Sequence, residues 1–415
     1  MSSSATPVPR LVARTLEVRD PGPLLDLLPD TEAMTWLRRG EGIVTWGVAA
    51  ICRTRGENRF SDASTWWRDV ARLAAVADEV ELPGTGLVCL GSFAFADSPG
   101  DSVLVIPKVV VGRRGDRCFV TTIGASAEEI PDLTPQPAPD APVNISFADG
   151  ALSGADWEGV VWEAVLHLNA GELDKVVLAR DLIATADAPI DVRWPLRRLG
   201  AEYEMCWTFH VDGMFGATPE LLVRREKGLV TSRVLAGTIR RTGDDEYDLT
   251  LAATLARSSK DLEEHEYAVR SVADALAPYC TSMNVPETPF VLHLPNVMHL
   301  ATDVAGVAHD SGASALELAA ALHPSAAVGG TPTKLAVEMI AELEAMDRGR
   351  YAGPVGWMNA HGDGEFGIAL RSAEIEGARV RLFAGCGIVA GSDPEAELAE
   401  SQAKFIPVRD SLGGH

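Results

Sequence analysis

Apolar residues recur at helical spacing in several segments of the chain. In the segment after residue 150 they lie on one helical face, and Gly171 predicts the end of that helix. The apolar positions of this face are Trp157, Val160, Val161, Ala164 and Leu168. Residues 246–280 are predicted to be helical throughout, and a shorter helix is expected to open near Ser61. The last helix is expected to start at Ser392-Asp393-Pro394, with the serine as its cap.

Strand-like runs occur in groups that are joined by short turns. Two lie in the first third of the chain, GIVTWGVAAI and SVLVIPKVVV. Residues 206–240 are predicted to form successive strands joined by Asp-Gly and Lys-Gly turns. Near the C-terminus, GPVGWMNA and EFGIALRSAEI flank a hairpin turn at 361–364, and ARVRLFAGCGIV adds a third strand. Hairpin-connected strands with helices in blocks predict a largely antiparallel sheet and the α+β class.

A proline-rich stretch from 125 to 150 interrupts both patterns. Its prolines remove backbone donors and favour extended chain, so we interpret it as a connector that lies over the surface. It separates a variable N-terminal part, 1–124, from a motif-bearing catalytic part, 151–412. Because the N-terminal part carries no motif of its own, we expect it to complete the same core. The chain, 1–415, is then a single domain.

Charge and composition limit the possible partners and the location. A formal net charge of −23 and a pI near 4.8 oppose binding to nucleic acid or to an anionic membrane surface. The same negative charge repels an anionic substrate, so binding of such a substrate would need an arginine or a metal ion in the site. No apolar run approaches the ~18 residues of a membrane span, and the first residues lack the apolar stretch of a signal peptide. Six scattered cysteines are expected to be buried free thiols, so we expect a cytoplasmic protein.

Two glycine-rich segments resemble nucleotide-binding loops but fit their patterns poorly. Residues 385–391 follow a strand and precede a helix, yet their spacing is wrong by one residue for the dinucleotide fingerprint. Only 24 residues follow Gly391, too few for a complete βαβ unit. Residues 328–334 lack the P-loop pattern, and Thr331 and Pro332 more simply cap and begin the next helix. A dinucleotide-dependent oxidoreductase stays as a rival interpretation that a nicotinamide titration would decide.

Two helical segments carry charged residues on a single face. Glu397, Glu400 and Lys404 share one face of the last helix, and Asp261 and Glu264 share a face of an earlier one. Taken alone, both patterns are typical of a solvated surface. They become informative only together with the strand and loop motifs around them.

The order of nine motifs after residue 155 points to one family. Together they resemble the chorismate-utilising enzymes that make isochorismate, salicylate, anthranilate and aminodeoxychorismate. Each motif would be weak alone, but nine in the same order are not expected by chance. They are LDKVVLAR (173–180), GATPELL (216–222), LAGT (235–238), KDLEEHE (260–266), MHLAT (298–302), LHPSAAVGGTP (322–332), YAGPVGW (351–357), IALRSA (368–373), and AGCGIV with SDPEAELAESQAK (384–404).

The resemblance implies a fold, an activity and a metal. The fold is one large α+β domain with two facing, largely antiparallel sheets and helices outside. The activity is the reversible, Mg²⁺-dependent conversion of chorismate to isochorismate, an isomerase reaction that feeds menaquinone or siderophore biosynthesis. Glu264 and Glu400 match the family's Mg²⁺ ligands, with Glu397 beside them. Hard carboxylate oxygens suit this ion.

The resemblance also assigns the substrate pocket. Lys175 matches the general base that activates water for attack at ring carbon 2, and Glu220 matches the general acid that protonates the hydroxyl leaving carbon 4. Burial favours both required forms, because desolvation lowers a lysine pKa and raises a glutamate pKa. Arg371 and the backbone near Gly387 match the groups that hold substrate carboxylates. The other matched pocket positions are Gly237, Thr238, His299, Ala327, Tyr351 and Lys404.

Three positions separate the sister reactions of this family. Anthranilate synthases carry glutamine where Lys175 stands, so the lysine favours water over ammonia and predicts no glutamine amidotransferase partner. Aminodeoxychorismate synthases place a covalent lysine at the position of Ala236, and salicylate synthases place threonine at that of Ala327. We therefore expect isochorismate as the product of a monomeric enzyme. Two alternatives stay open, a salicylate synthase that goes on to eliminate pyruvate and an inactive chorismate-binding regulator.

Overall fold

The computed structural model describes residues 8–126, 128–294, 297–309 and 312–413, without the side chains of Lys260 and Glu264. The strands are β1 (Val12–Val18), β2 (Met34–Arg38), β3 (Glu41–Thr54), β4 (Ala75–Asp78), β5 (Val88–Ser92), β6 (Ser102–Arg114), β7 (Arg117–Gly124), β8 (Ser146–Asp149), β9 (Lys175–Thr185), β10 (Trp207–Val211), β11 (Met214–Thr218), β12 (Leu221–Glu226), β13 (Leu229–Arg240), β14 (Cys280–Asn284), β15 (Phe290–His293), β16 (Val297–Ala308), β17 (Gly330–Thr331), β18 (Pro354–Asn359), β19 (Gly364–Ile368), β20 (Ser372–Glu376) and β21 (Arg379–Ile388). The α-helices are α1 (Arg59–Leu73), α2 (Gly154–Asn169), α3 (Arg193–Glu202), α4 (Asp245–Leu255), α5 (Ser259–Leu276), α6 (Ala315–Leu322), α7 (Thr333–Leu343) and α8 (Pro394–Leu412). Short 3₁₀ helices span Leu24–Leu27 and Ala277–Tyr279.

The strands form one hydrogen-bonded network that divides into two arms at β6. From β6, the first arm runs through β3, β2, β10, β11, β20 and β21 to β9. The second arm runs through β5, β18, β19, β12 and β13 to β16. Across the described ranges every strand pair is antiparallel except β1 with β4. The predicted α+β fold with two facing, largely antiparallel sheets is confirmed, and the two sheets are continuous through β6.

Buried side chains hold the two arms against each other. The indole N–H groups of Trp36 in β2 and Trp207 in β10 both donate to Oε2 of Glu365 in β19, at 2.8 and 3.1 Å. Thr218 Oγ1, at the end of β11, donates to the carbonyl oxygen of Ile368 in β19 at 2.6 Å. Because Glu365 is only 5% exposed, its bonds form with little competition from water. These contacts set the spacing between the arms.

The N-terminal part contributes strands to both arms. In the first arm β2 pairs with β10, and in the second β5 pairs with β18. Large buried side chains from both ends of the chain, such as Phe93, Trp157 and Phe366, belong to one apolar cluster. The N-terminal strands and the motif-bearing strands therefore share a core.

Several local predictions are confirmed. Helix α2 ends at Asn169, and Gly171 follows it with a φ of 76°. Asp212-Gly213 links β10 to β11 and Lys227-Gly228 links β12 to β13, with positive φ at all four residues. Positive φ at both central positions is the mark of the type I′ hairpin turn. All six cysteines lie within the described ranges, are buried and form no disulfide, as expected.

Other local predictions are wrong in detail. Residues 246–280 are not one helix, because Ser258 starts α5 anew by accepting a hydrogen bond from Asp261 N at 3.3 Å. Asp393, not Ser392, caps α8, since its carboxylate accepts from Ala396 N at 2.9 Å. Thr331 does not cap α7; it pairs with β9 as part of β17, and α7 begins without a side-chain cap. In the first two cases a side chain caps the helix at a residue that the sequence pattern did not mark, and in the third the expected cap is part of a strand.

The connector is irregular over most of its length. Its last residues form β8, which pairs with β9, so it is more closely joined to the sheet than a surface linker. Among the helices in the described ranges, none has the length and apolar character needed to cross a membrane.

Candidate active site

A cavity of about 210 Å³ lies between the free ends of the two arms. β9 and β21 of the first arm and β13 and β16 of the second contribute to its wall, together with α8. Twelve of the thirteen predicted site residues line it. They are Lys175, Glu220, Gly237, Thr238, His299, Ala327, Tyr351, Arg371, Gly387, Glu397, Glu400 and Lys404. The thirteenth, Glu264, belongs to α5, and its side chain lies outside the described residues.

Lys175 occupies the first position of β9, beside Gly387 of the neighbouring strand β21. A Cβ atom on Gly387 would lie 2.9 Å from Lys175 Cε and 3.4 Å from Lys175 Nζ. The absence of a side chain on this glycine therefore creates the space that the lysine amine occupies. The same strand leaves space for another group, because a Cβ on Gly385 would lie 3.2 Å from Tyr351 Oη.

Glu220 lies between β11 and β12, where the two arms meet. Its backbone amide donates to Thr218 Oγ1 at 3.3 Å, and its carbonyl accepts from Ile368 N at 3.2 Å. The side chain is 7% exposed. Burial raises its pKa to about 8, against the opposing positive charges of Lys175 and Arg371. The carboxyl group is therefore largely protonated at neutral pH and can donate a proton.

Arg371 reaches the cavity from a bend that separates β19 from β20. The sequence had placed this residue inside a continuous strand, but its φ is 48°, in the left-handed region. The bend is held from the neighbouring strand, where Ala217 N donates to Arg371 O at 3.2 Å. A Cβ on Gly216 would lie 2.5 Å from that same oxygen. Gly216 thus permits the close backbone approach that aims the guanidinium into the cavity.

The charged face of α8 also lines the cavity and is not simply solvated. Lys404 Nζ is 2.6 Å from Glu400 Oε1 and donates to Gly385 O at 2.9 Å, which ties the helix to β21. Burial acts to raise the pKa of Glu400, but the charge and hydrogen bond of Lys404 outweigh it and bring the pKa below its usual value. Glu397 Oε1 is 2.8 Å from Ser392 Oγ near the start of the helix. Both carboxylates are thus held in place at one wall.

The donor atoms at this wall fit a hard divalent cation. The carboxylate oxygens of Glu397 and Glu400 and the thiol sulfur of Cys386 all lie within 4.8 Å of one another. Carboxylate oxygens are the ligands that Mg²⁺ prefers, whereas a buried thiol is a poor ligand for it. The chemistry of the two glutamates therefore suits Mg²⁺, an ion that usually keeps several waters among its ligands.

His299 and Tyr351 provide neutral polar atoms. His299 Nδ1 is 2.9 Å from Thr238 Oγ1, and its Nε2 is buried without a hydrogen-bond partner among the described residues. Burial, together with the charges of Arg371 and Lys404, lowers the His299 pKa to about 3, so the imidazole is neutral. Burial raises the pKa of Tyr351 to about 12, so its hydroxyl stays protonated. An unpaired buried ring nitrogen facing the cavity is a natural contact for a bound polar molecule.

Sequence reasoning missed some of the wall. Asp261 lines the cavity close to Gly237, although the charge pattern of its helix had suggested solvent. Its spacing of three from Glu264 was the available signal. Arg348, which is 3% exposed, also reaches the wall, and no motif had marked it. The glycine-rich loop lies beside the cavity through Ala327 and Val328, without forming a phosphate loop.

Neither nucleotide-binding interpretation is supported by the geometry. Gly385 and Gly387 lie inside β21, which pairs antiparallel with β9. A dinucleotide fingerprint requires a parallel strand that turns directly into a helix, whereas here Gly385 and Gly387 line the pocket.

The sequence and fold of this chain are similar to those of known isochorismate synthases. The chain is 38% identical over 404 residues to the isochorismate synthase MenF of Bacillus subtilis, covering 90% of this chain and 85% of that protein. It is 41% identical over 269 residues to the isochorismate synthase DhbC of the same organism, covering 62% of this chain and 68% of that protein. The structure of MenF, the menaquinone-specific isochorismate synthase of Escherichia coli, superposes with a TM-score of 0.81 at 26% identity, covering 99% of this chain and 97% of that one. Residues 24–413 match the family described as chorismate binding enzyme, and the chain belongs to that family.

Proposed function

We propose that this enzyme converts chorismate to isochorismate with Mg²⁺, using Lys175 as general base and Glu220 as general acid. One observation carries the assignment of roles. A glutamate whose pKa is about 8 faces the same 210 Å³ cavity as a lysine amine and a guanidinium. Moving a hydroxyl group around a ring requires a base for the attacking water and a protonated acid for the departing hydroxyl.

In the forward direction, water attacks ring carbon 2 and the hydroxyl group on carbon 4 departs. Lys175 takes a proton from the attacking water, and Glu220 gives its proton to the departing hydroxyl so that it leaves as water. The reverse reaction exchanges the roles of the two groups. Lys175 begins β9 and Glu220 lies in the two-residue link between β11 and β12, so strands of the sheet hold both residues. Side chains held by strands keep a more fixed orientation toward the substrate ring than side chains on flexible loops.

Substrate binding must overcome the net charge of −23. The cavity wall does this locally with Arg371 and Lys404. Arg371 is suited to a bidentate contact with a substrate carboxylate, and we assign a second polar contact to the backbone near Gly387, which lines the same cavity. Mg²⁺ held by Glu264, Glu397 and Glu400 would neutralise charge and orient a carboxylate of the substrate.

The same three positions that separate the sister reactions support isochorismate as the end product. Lys175 favours water as nucleophile, Ala236 lies at the wall without the amine of a covalent route, and Ala327 adds no hydroxyl to the pocket. We further propose that the chain acts as one domain and a monomer in the cytoplasm. Because water needs no ammonia supply, no amidotransferase partner is required.

The reaction path is tested with water enriched in oxygen-18. Purified enzyme, chorismate and Mg²⁺ are incubated in labelled water, and isochorismate is isolated for mass spectrometry at low conversion. Attack by solvent water predicts one label per molecule of isochorismate formed. Unlabelled isochorismate would show that the hydroxyl migrates within the molecule, and binding of chorismate without turnover would favour the inactive regulator.

A further inference from the structure

The edge of β9 that carries Lys175 changes partners after two residues. On one side β9 pairs with β21 along its length, but on the other side β17 reaches only Lys175 and Val176. Val177 N then donates to Gly329 O at 2.8 Å, in the loop that leads to β17. Beyond that point two backbone groups on this edge bond to side chains instead of a strand.

A buried ion pair supplies these missing backbone partners. Arg348 Nη2 donates to Val177 O at 2.7 Å, and Glu344 Oε1 accepts from Ala179 N at 2.7 Å. Arg348 Nε donates to Glu344 Oε2 at 2.8 Å, which joins the two side chains. Glu344 is 1% exposed and Arg348 is 3% exposed. The pair therefore continues the hydrogen bonding of the sheet edge with side-chain atoms.

The second branch of the guanidinium reaches the loop that precedes β17. Arg348 Nη1 donates to Val328 O at 2.9 Å, next to Ala327. The guanidinium carbon lies 4.2 Å from the centre of the Phe95 ring, which holds its plane. Only a planar fork can bond Val177 O, Val328 O and a carboxylate together, and a lysine ammonium on a flexible stem cannot reproduce this geometry.

We infer that Glu344 and Arg348 are positioning residues for the reaction, because they lock the strand that carries Lys175 to the loop that carries Ala327. Neither acts on the substrate in this role. Their effect is to hold the base and the product-determining side of the pocket at a fixed separation. A displacement of about 1 Å in such a group can reduce the rate on the order of 10²-fold. The inference rests on the proposed role of Lys175 as the base.

The test uses Arg348→Lys, which keeps the positive charge beside Glu344 but loses the fork. We expect kcat to fall roughly 10- to 100-fold while KM for chorismate changes by less than about twofold. The matched control is Arg193→Lys. Arg193 is also buried, pairs with Asp191, and bridges two chain segments by donating to Leu28 O and Pro137 O at 3.2 and 3.3 Å. It is not among the residues that line the cavity. It should lower the melting temperature to a similar extent without changing kcat.

Glu344→Gln provides a second variant if Arg348→Lys does not fold. The amide oxygen can still accept from Ala179 N, so the expected loss in kcat is smaller and again without a rise in KM. Equal kcat values for the Arg348 and Arg193 variants would overturn the inference, as would a rise in KM at unchanged kcat, which would make Arg348 a binding residue. If the wild-type enzyme makes isochorismate and Lys175→Ala is still active, Lys175 is not the base. That result would refute the proposed function of Lys175 but not the contacts of Glu344 and Arg348.

Discussion

Gly387 and Lys175 occupy neighbouring strands, and the glycine leaves the space into which the lysine amine extends. A Cβ on Gly387 would lie 2.9 Å from Lys175 Cε, closer than such contacts are found. The atom it would meet belongs to the far end of a flexible side chain rather than to the backbone. An added methyl group would therefore displace the amine without disturbing the pairing of β9 with β21.

Gly387→Ala should consequently impair catalysis more than folding. We expect kcat to fall roughly 10- to 100-fold, with chorismate still bound, because misplacing a reacting group acts mainly on the transition state. Lys175→Ala should show the same pattern with a larger loss. Kinetics together with calorimetric binding of chorismate measures both effects. Gly391→Ala is the control, since a Cβ there would meet no atom within 4 Å, and equal kcat values for the two alanine variants would contradict the account.

Glu220 should determine the alkaline side of the pH profile. Its pKa of about 8 means that the required protonated form is present below this pH and is lost as the pH rises through it. The value of kcat/KM should therefore fall above about pH 8. Glu220→Gln should lower the rate on the order of 10²- to 10⁴-fold and remove this pH dependence. An unchanged alkaline decline in the glutamine variant would assign it to another group.

The same carboxyl group should make folding stability depend on pH. Its pKa rises from 4.5 to about 8 on folding, so between these values the folded state binds more protons than the unfolded state. The contribution of Glu220 to the free energy of unfolding is therefore fully present at low pH. It declines as the pH rises, by at most about 1.4 kcal/mol per pH unit. Melting temperatures of wild type and Glu220→Gln between pH 5 and 9 measure the effect. The melting temperature of the variant should rise relative to that of wild type as the pH increases. A difference in melting temperature that does not change with pH would contradict this expectation.

Removal of Mg²⁺ should abolish turnover, because the carboxylates of the site would then face an anionic substrate without a counter-charge. Glu264→Ala and Glu400→Ala should both need far more Mg²⁺ for activity, as measured by titration after chelation. Glu395→Ala is the control, since this exposed residue lies in the first turn of the same helix α8 as Glu400. Wild-type activity of either ligand variant at low Mg²⁺ would remove that residue from the metal site.

Much of the pocket could be predicted because its residues lie in compact motifs. Lys175, Glu220 and Arg371 each belong to a short run with a distinctive pattern, and the structure brings them to one cavity. The spacing of Glu397, Glu400 and Lys404 correctly predicted a shared helical face, but spacing alone could not show whether that face meets water or substrate. That depends on β21 packing against α8, which is a long-range contact.

The residues that sequence analysis missed depend on such contacts even more. Glu344 and Arg348 have the spacing of an ordinary surface ion pair, and only the open edge of β9 makes them a buried one. Likewise, the bend at Arg371 depends on the close approach of Gly216 from another strand. A pattern of apolar and polar positions predicts which face of a helix or strand is buried. The buried ion pair and the bend at Arg371 instead depend on contacts between residues that are distant in the sequence.

The product of the reaction distinguishes an isochorismate synthase from a salicylate synthase. Purified enzyme is incubated with chorismate and Mg²⁺, the products are separated by chromatography, and pyruvate is assayed in the same samples. Since Lys175 favours water and Ala327 contributes no hydroxyl to the pocket, we predict a mixture of chorismate and isochorismate at long times, with no pyruvate above the background of an enzyme-free control. Stoichiometric pyruvate together with fluorescent salicylate at neutral pH would contradict the account and identify a salicylate synthase.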